Sequence, residues 1–161
     1  MRVVENALNE DVFSYCKKEL ESRLQEKESW WVSEGPYYTG SDIMASRILS
    51  ETTQMITNEL KRNIRDISKC NVSAKYMIWQ PNSGINFHND TGKGYGITIY
   101  MNDVWDPDYG GWFVWQDNNT QEWKTILPQR NLMVVNDIQE FHSVTPVSQQ
   151  NRFTLQIWGR K

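Results

Sequence analysis

The chain has 161 residues, a length that suits one domain with a core large enough to hold without staples. Its net charge of −3 removes the electrostatic reason to bind nucleic acid or an acidic membrane surface. Two cysteines, Cys16 and Cys70, are too few for a disulfide framework, no apolar run reaches membrane length, and the first residues lack a signal-peptide pattern, so a cytoplasmic setting without a membrane partner is expected. The unusual feature is eight tryptophans. Each can fill a core, but several fall near turns, where aromatic surface also serves binding.

In chain order, residues 9–28 read as an amphipathic helix. Asn9 suits the N-cap, and Val12, Phe13, Cys16, Leu20 and Leu24 recur at helical spacing. Glu19, Glu21, Arg23, Glu26 and Lys27 then form a solvated face. Residues 29–40, Ser-Trp-Trp-Val-Ser-Glu-Gly-Pro-Tyr-Tyr-Thr-Gly, break the pattern. They read as a loop or short strand, either a flap over a substrate or a packed connection. A second helix is expected from about 41 to 67, capped by Ser41 or Asp42 and burying Ile43, Ile48, Leu49, Met55, Ile56, Leu60, Ile64 and Ile67.

After Cys70 the pattern changes to short extended segments, at about 73–79, 85–90, 94–101, 111–116, 122–127, 131–136, 140–145 and 152–159. Turn signals at 81–84, 92–94, 106–111, 117–119 and 128–129 separate them. Helices followed by a run of short strands predict a mainly β (α+β) fold, a sandwich or barrel with N-terminal helices packed on one sheet. With no internal repeat or linker, residues 1–161 are expected to form a single domain, with helical support over about 9–67 and a strand-rich core over about 73–159.

Two strands carry an informative alternation. Ile97, Ile99 and Met101 share one face of the first, and Thr98 and Tyr100 the other. In the last strand Phe153, Leu155 and Ile157 alternate with Arg152, Thr154, Gln156 and Trp158. The apolar faces should lie under the helices and the mixed faces between the sheets. A cavity lined by Tyr, Thr, Arg and Gln needs partners for its polar groups, and an anionic ligand would supply them. Arg152 could grip a carboxylate through two parallel hydrogen bonds with Tyr100 donating a third, or it could form a surface salt bridge.

The only two histidines are His88 and His142. His88-Asn89-Asp90 on an extended strand puts His88 and Asp90 on one face. With His142 from a neighbouring strand they would make the two-His, one-carboxylate facial set that suits non-haem Fe(II) oxygenases. Taken alone, a His-x-Asp pair is more often an ordinary surface or core feature.

The series in order is more specific: Gln80-Pro81-Asn82-Ser83-Gly84, His88-Asn89-Asp90, Ile99-Tyr100-Met101-Asn102, Tyr109-Gly110-Gly111-Trp112-Phe113, Leu132-Met133-Val134-Val135, His142-Ser143-Val144-Thr145-Pro146-Val147, then Arg152 and Trp158. Over roughly residues 73 to 159 it resembles the Fe(II)- and 2-oxoglutarate-dependent dioxygenases, and within them the prolyl 4-hydroxylase-like branch. The resemblance implies a double-stranded β-helix, a cupin-like jelly roll. It implies Fe(II) on His88, Asp90 and His142, and 2-oxoglutarate with its remote carboxylate on Arg152 and Tyr100. Gln156 stands where a polar helper often lies, and Thr154 shares its face. Trp79 stands where the family often has a tyrosine, and would either stack or donate its indole N–H. Position 158 is Trp158, where the nucleic-acid demethylase branch has a second arginine.

The implied reaction consumes O₂ and 2-oxoglutarate, releases succinate and CO₂, and hydroxylates a substrate, with ascorbate as a possible further reductant. The expected substrate is a prolyl residue in a peptide or protein, the alternatives being a free amino acid or other small molecule, or a non-enzymatic binding module. Trp31, Tyr37, Tyr38, Trp105, Tyr109 and Trp158 are the candidate substrate-facing aromatics, and a monomer or weak dimer is expected.

Overall fold

The computed structural model describes residues 1–90 and 94–160, so the predicted turn at 92–94 lies mostly outside the described residues. After a short strand β1 (Arg2–Val4), the first helix α1 (Glu10–Gln25) begins where its cap predicts. The Asn9 side chain accepts a hydrogen bond from the Val12 amide at 2.9 Å, and Glu10 and Asp11 complement the positive end of the helix. Val12, Phe13, Cys16 and Leu20 are buried on one stripe.

Glu19 departs from the solvated face expected of it. Its carboxylate accepts from the Tyr76 hydroxyl at 3.2 Å and from the Leu49 amide at 2.8 Å. The buried phenol and an uncapped backbone N–H both needed an acceptor, and Glu19 is within reach of both.

The segment after α1 forms three strands, β2 (Trp30–Ser33), β3 (Tyr38–Thr39) and β4 (Ile43–Arg47). The expected helix over 41–67 is therefore a strand and a shorter helix, α2 (Ser50–Leu60). Ser41 and Asp42 do not cap it, since Leu49 is the N-cap residue and is 46% exposed instead of buried. The apolar residues of 43–47 fit either period over so short a run. Pairing decides it: Ile43 to Arg47 lie antiparallel to residues 79 to 75, which covers an edge that would otherwise expose unpaired amides and carbonyls. Ile56, Leu60, Ile64 and Ile67 are buried as expected, the last two beyond the helix end.

All eight strands predicted after Cys70 are present. They are β5 (Asn71–Trp79), β6 (Gly84–His88), β7 (Tyr95–Tyr100), β8 (Phe113–Gln116), β9 (Trp123–Ile126), β10 (Met133–Asn136), β11 (His142–Val144) and β12 (Arg152–Arg160). They build two antiparallel sheets, one in the order β1-β10-β7-β12-β5-β4-β2 and one in the order β3-β6-β11-β8-β9. This is the jelly-roll core.

One face of the larger sheet carries Ile97, Ile99, Met101, Leu155 and Ile157 and packs on Phe13, Cys16, Leu20, Ile56 and Leu60 of the helices. Each such side chain contributes about 1.5–3 kcal/mol through burial. The other face looks across to the smaller sheet. Among the described residues no helix is long and apolar enough to cross a membrane.

Leu155 and Gln156 are adjacent on β12 but face opposite ways, one into the helix layer and one into the space between the sheets. Leu155→Ala should cost about 2–5 kcal/mol of stability through the cavity it leaves. Gln156→Ala should cost about 1 kcal/mol, the worth of the hydrogen bond it accepts from Thr98. Urea unfolding of the two variants measures the difference.

Candidate metal and carboxylate site

The sheets separate around a cavity of about 740 Å³. At one end stand His88, Asp90 and His142, with ligand atoms all within 4.8 Å of one another. The sheet register explains the meeting. His88 on β6 lies directly opposite His142 on β11, and their ring centroids are 4.3 Å apart. Asp90 follows just past the end of β6, with Oδ1 4.0 Å from His88 Nε2 and Oδ2 3.7 Å from His142 Nε2.

Both imidazoles are held from behind. His88 Nδ1 is 2.9 Å from the Asn86 carbonyl, and His142 Nδ1 is 2.9 Å from the Glu140 carbonyl. A carbonyl can only accept, so each Nδ1 carries the hydrogen and each Nε2 is directed at the shared space as a lone-pair donor. Stacking fixes the ring planes: Tyr37 lies on His88 at 4.8 Å, and Phe113 on His142 at 5.3 Å.

At the other end Arg152 is 1% exposed. Its Nη1 donates to the Gly111 carbonyl at 2.8 Å, and its guanidinium lies 4.1 Å above the Trp79 ring. Its Nε has no hydrogen-bond partner among the described residues, and neither has the Tyr100 hydroxyl. Burial pushes the Arg152 pKa down to about 10, with the Tyr100 phenol opposing. Burial pushes Tyr100 up to about 12, with Arg152 pulling it back. At neutral pH the pair is thus a buried cation and a neutral phenol, both with unspent donors. A carboxylate is the complement that would remove the penalty.

The remaining expected cofactor-side residues gather here too. Trp79 stacks on the arginine and spends its indole N–H on Thr154 Oγ1 at 3.0 Å, so it has no donor left for a ligand. Gln156 lines the cavity wall between the two ends and accepts from Thr98 Oγ1 at 2.7 Å.

Of the candidate substrate-facing aromatics, Tyr37, Tyr38 and Trp158 line the cavity. Trp31 is on β2, 41% exposed and outside the cavity wall. Trp105 and Tyr109 also lie outside it, packed edge-to-face at 5.7 Å, with the Trp105 indole donating to the Gly110 carbonyl. The segment 29–40 ties the two sheets together, since β2 pairs in one and β3 in the other. Glu34 to Tyr38 run between them along the cavity.

Sequence reading passed over Gly96. A Cβ at this position would sit 2.9 Å from Asp90 Oδ2, so the carboxylate occupies space that only glycine leaves. The available signal was an isolated glycine inside a strand pattern, which marks a close approach. The Asn86 and Glu140 carbonyls had no signal, because any residue supplies a carbonyl.

The sequence matches the profile of the 2OG-Fe(II) oxygenase superfamily over residues 73–160, more than half of the chain. The chain belongs to that superfamily. No curated protein matches it in sequence. Its fold is similar to that of a prolyl-4-hydroxylase from Pseudomonas putida, with a TM-score of 0.76 at 13% identity over 99% of this chain and 91% of that one. It is also similar to a prolyl hydroxylase from Trichoplax adhaerens solved in complex with a hypoxia inducible factor oxygen degradation domain peptide fragment, with a TM-score of 0.77 at 14% identity over 99% and 82%. A non-haem alpha-ketoglutarate-dependent epimerase of nogalamycin biosynthesis scores 0.69 at 10% identity over 98% and 77%.

Membership of this oxygenase superfamily implies Fe(II), 2-oxoglutarate and O₂. The donor set fits: two imidazoles and a carboxylate on one side of a space, with other positions open, suit Fe(II). The orphaned Arg152 and Tyr100 donors fit a dicarboxylate.

Gly96→Ala should keep the fold, because the atom it meets is the tip of a flexible side chain, but it should displace the Asp90 carboxylate. Anaerobic Fe(II) titration should show affinity lowered by about tenfold or more, by analogy with other perturbations around metal ligands, with the circular dichroism spectrum unchanged.

Proposed function

We propose that the chain is an Fe(II)- and 2-oxoglutarate-dependent dioxygenase that hydroxylates a prolyl residue within a peptide or protein. His88, Asp90 and His142 hold the metal in this reading. Arg152 and Tyr100 receive the remote carboxylate of 2-oxoglutarate. When bound, Fe(II) and 2-oxoglutarate would use O₂ for an oxidative decarboxylation that places one oxygen atom in succinate, releases CO₂ and places the other oxygen atom on the substrate.

The observation that carries the reading is the buried Arg152, its Nε without a partner among the described residues, in the same cavity as the imidazole–carboxylate trio. A buried cation missing part of its hydrogen bonding is costly. That cost is recovered only when an anionic ligand arrives, so the site is selective for one. Trp79 holds the guanidinium flat, and the Gly111 carbonyl fixes one of its nitrogens.

For the prolyl substrate, support comes from the fold's likeness to two prolyl hydroxylases, one of them solved with a peptide. Tyr37, Tyr38 and Trp158 add aromatic faces along the cavity, on which a proline ring can stack. Tyr37 is placed on His88, so a ring packed beside it lies close to the metal position.

His142→Ala should abolish the weak visible charge-transfer band of the anaerobic Fe(II)–2-oxoglutarate complex while the protein stays folded. Retention of the wild-type band overturns the ligand assignment. Arg152→Ala should weaken 2-oxoglutarate binding by about 2–5 kcal/mol, and Tyr100→Phe by about 0.5–1.5 kcal/mol, both read by calorimetric titration.

Substrate class is tested by incubating the protein with Fe(II), 2-oxoglutarate and ascorbate and a panel of proline peptides, and separately with free amino acids. A gain of one oxygen on peptidyl proline supports the reading. Oxidation confined to free amino acids moves the assignment to a small-molecule hydroxylase.

A further inference from the structure

We propose that Asn136 is a positioning residue for the metal ligand His142, acting through the backbone of Glu140. The inference rests on the reading that His142 holds the metal.

Asn136 ends β10 and is paired with Gly96 on β7. It is 4% exposed and lines the cavity. Its side chain folds back on Glu140 and meets that residue twice: Oδ1 accepts from the Glu140 amide at 3.1 Å, and Nδ2 donates to the Glu140 carbonyl at 3.4 Å. That same carbonyl accepts from His142 Nδ1 at 2.9 Å.

Asn136 Nδ2 also lies 3.3 Å from His142 Nδ1. Both nitrogens are donors when Nδ1 carries the hydrogen, so they do not bond each other and instead share the carbonyl between them. The result is an imidazole whose hydrogen is anchored on Nδ1 and whose Nε2 is left to serve the metal.

The clamp is needed because the chain between these residues turns sharply. Gln139 has φ of 56°, in the left-handed region that a non-glycine residue adopts at a cost. The Glu140 peptide follows immediately, and its carbonyl direction sets the His142 ring. A second contact holds Glu140 from the other side, since its buried carboxylate accepts from the Asn118 amide at 2.9 Å. Asn136 also stands beside the other half of the site. Its Cβ is 4.0 Å from where a Cβ on residue 96 would be, and that point is 2.9 Å from Asp90 Oδ2.

The test is Fe(II) binding to the full chain under anaerobic conditions, without 2-oxoglutarate or turnover, together with the visible spectrum of the Co(II)-substituted protein. Asn136→Ala should lower Fe(II) affinity about 10- to 100-fold and change the Co(II) spectrum, the scale seen when a residue orienting a ligating histidine is removed. Asn136→Ser, which can still accept from the Glu140 amide but has no second arm, should fall between Ala and wild type.

A turn clamp with no role at the metal would lower the melting temperature alone. An Asn136→Ala protein with wild-type Fe(II) affinity and an unchanged Co(II) spectrum therefore overturns the proposal. If Asn136→Ala does not fold, Asn136→Ser decides, and wild-type affinity in it overturns the proposal. His142→Ala is measured alongside: if it too binds Fe(II) like wild type, the ligand assignment fails and not merely its support.

Discussion

Strand β12 must satisfy two environments at once, and the rest of the protein is arranged around that constraint. It lies inside the larger sheet, paired along its whole length with β5 and over most of it with β7. Its alternate residues therefore point to opposite sides with no freedom to slip, since a one-residue shift would exchange the faces. Leu155 and Ile157 go to the helix layer, and Arg152, Gln156 and Trp158 go to the cavity. The helices close the first face. The smaller sheet stands off from the second, and His88, Asp90 and His142 face the gap.

Within that gap, strongly polar groups are fixed by neighbours that cannot move far. His88 and His142 are cross-strand partners, so their separation is a property of the sheet. Aromatic rings stack on both. Asp90 is directed toward the bare backbone of Gly96 on the opposite sheet. Arg152 is pinned by Trp79 and the Gly111 carbonyl while its Nε has no partner among the described residues. Burying such groups with donors unspent costs free energy, which an anion together with a metal would recover. This is the physical sense in which the cavity is made for ligands instead of packing.

The tryptophans divide by position. Trp79 and Trp158 line the cavity. Trp30 donates its indole to the Arg23 carbonyl and packs against the main core. Trp105 braces the turn at Gly110 and Gly111, whose φ angles of 68° and 66° suit glycine. Trp123 remains largely exposed, edge-on to Phe87. Abundance of a residue type thus said little, and the element carrying each residue decided its use.

The sequence by itself determined the strand-rich core, the two faces of β7 and β12, and the membership of His88, Asp90, His142, Tyr100 and Arg152 in one polar cluster. The core and the strand faces follow from period-two alternation, which is local; the grouping of those five side chains was implied by the resemblance that the ordered series of motifs carries, not by alternation alone. Tertiary structure decided what depends on partners distant in the chain. Residues 43–47 became a strand because β5 offered an open edge. Glu19 was drawn inward by Tyr76 and Leu49. Trp79 stacks instead of donating to a ligand because Thr154, two positions along β12 from Arg152, takes its N–H. The supports of His88 and His142 are backbone carbonyls, which leave no mark on residue identity, and the glycine at 96 shows in the sequence while the carboxylate that fills its space is decided only by the fold.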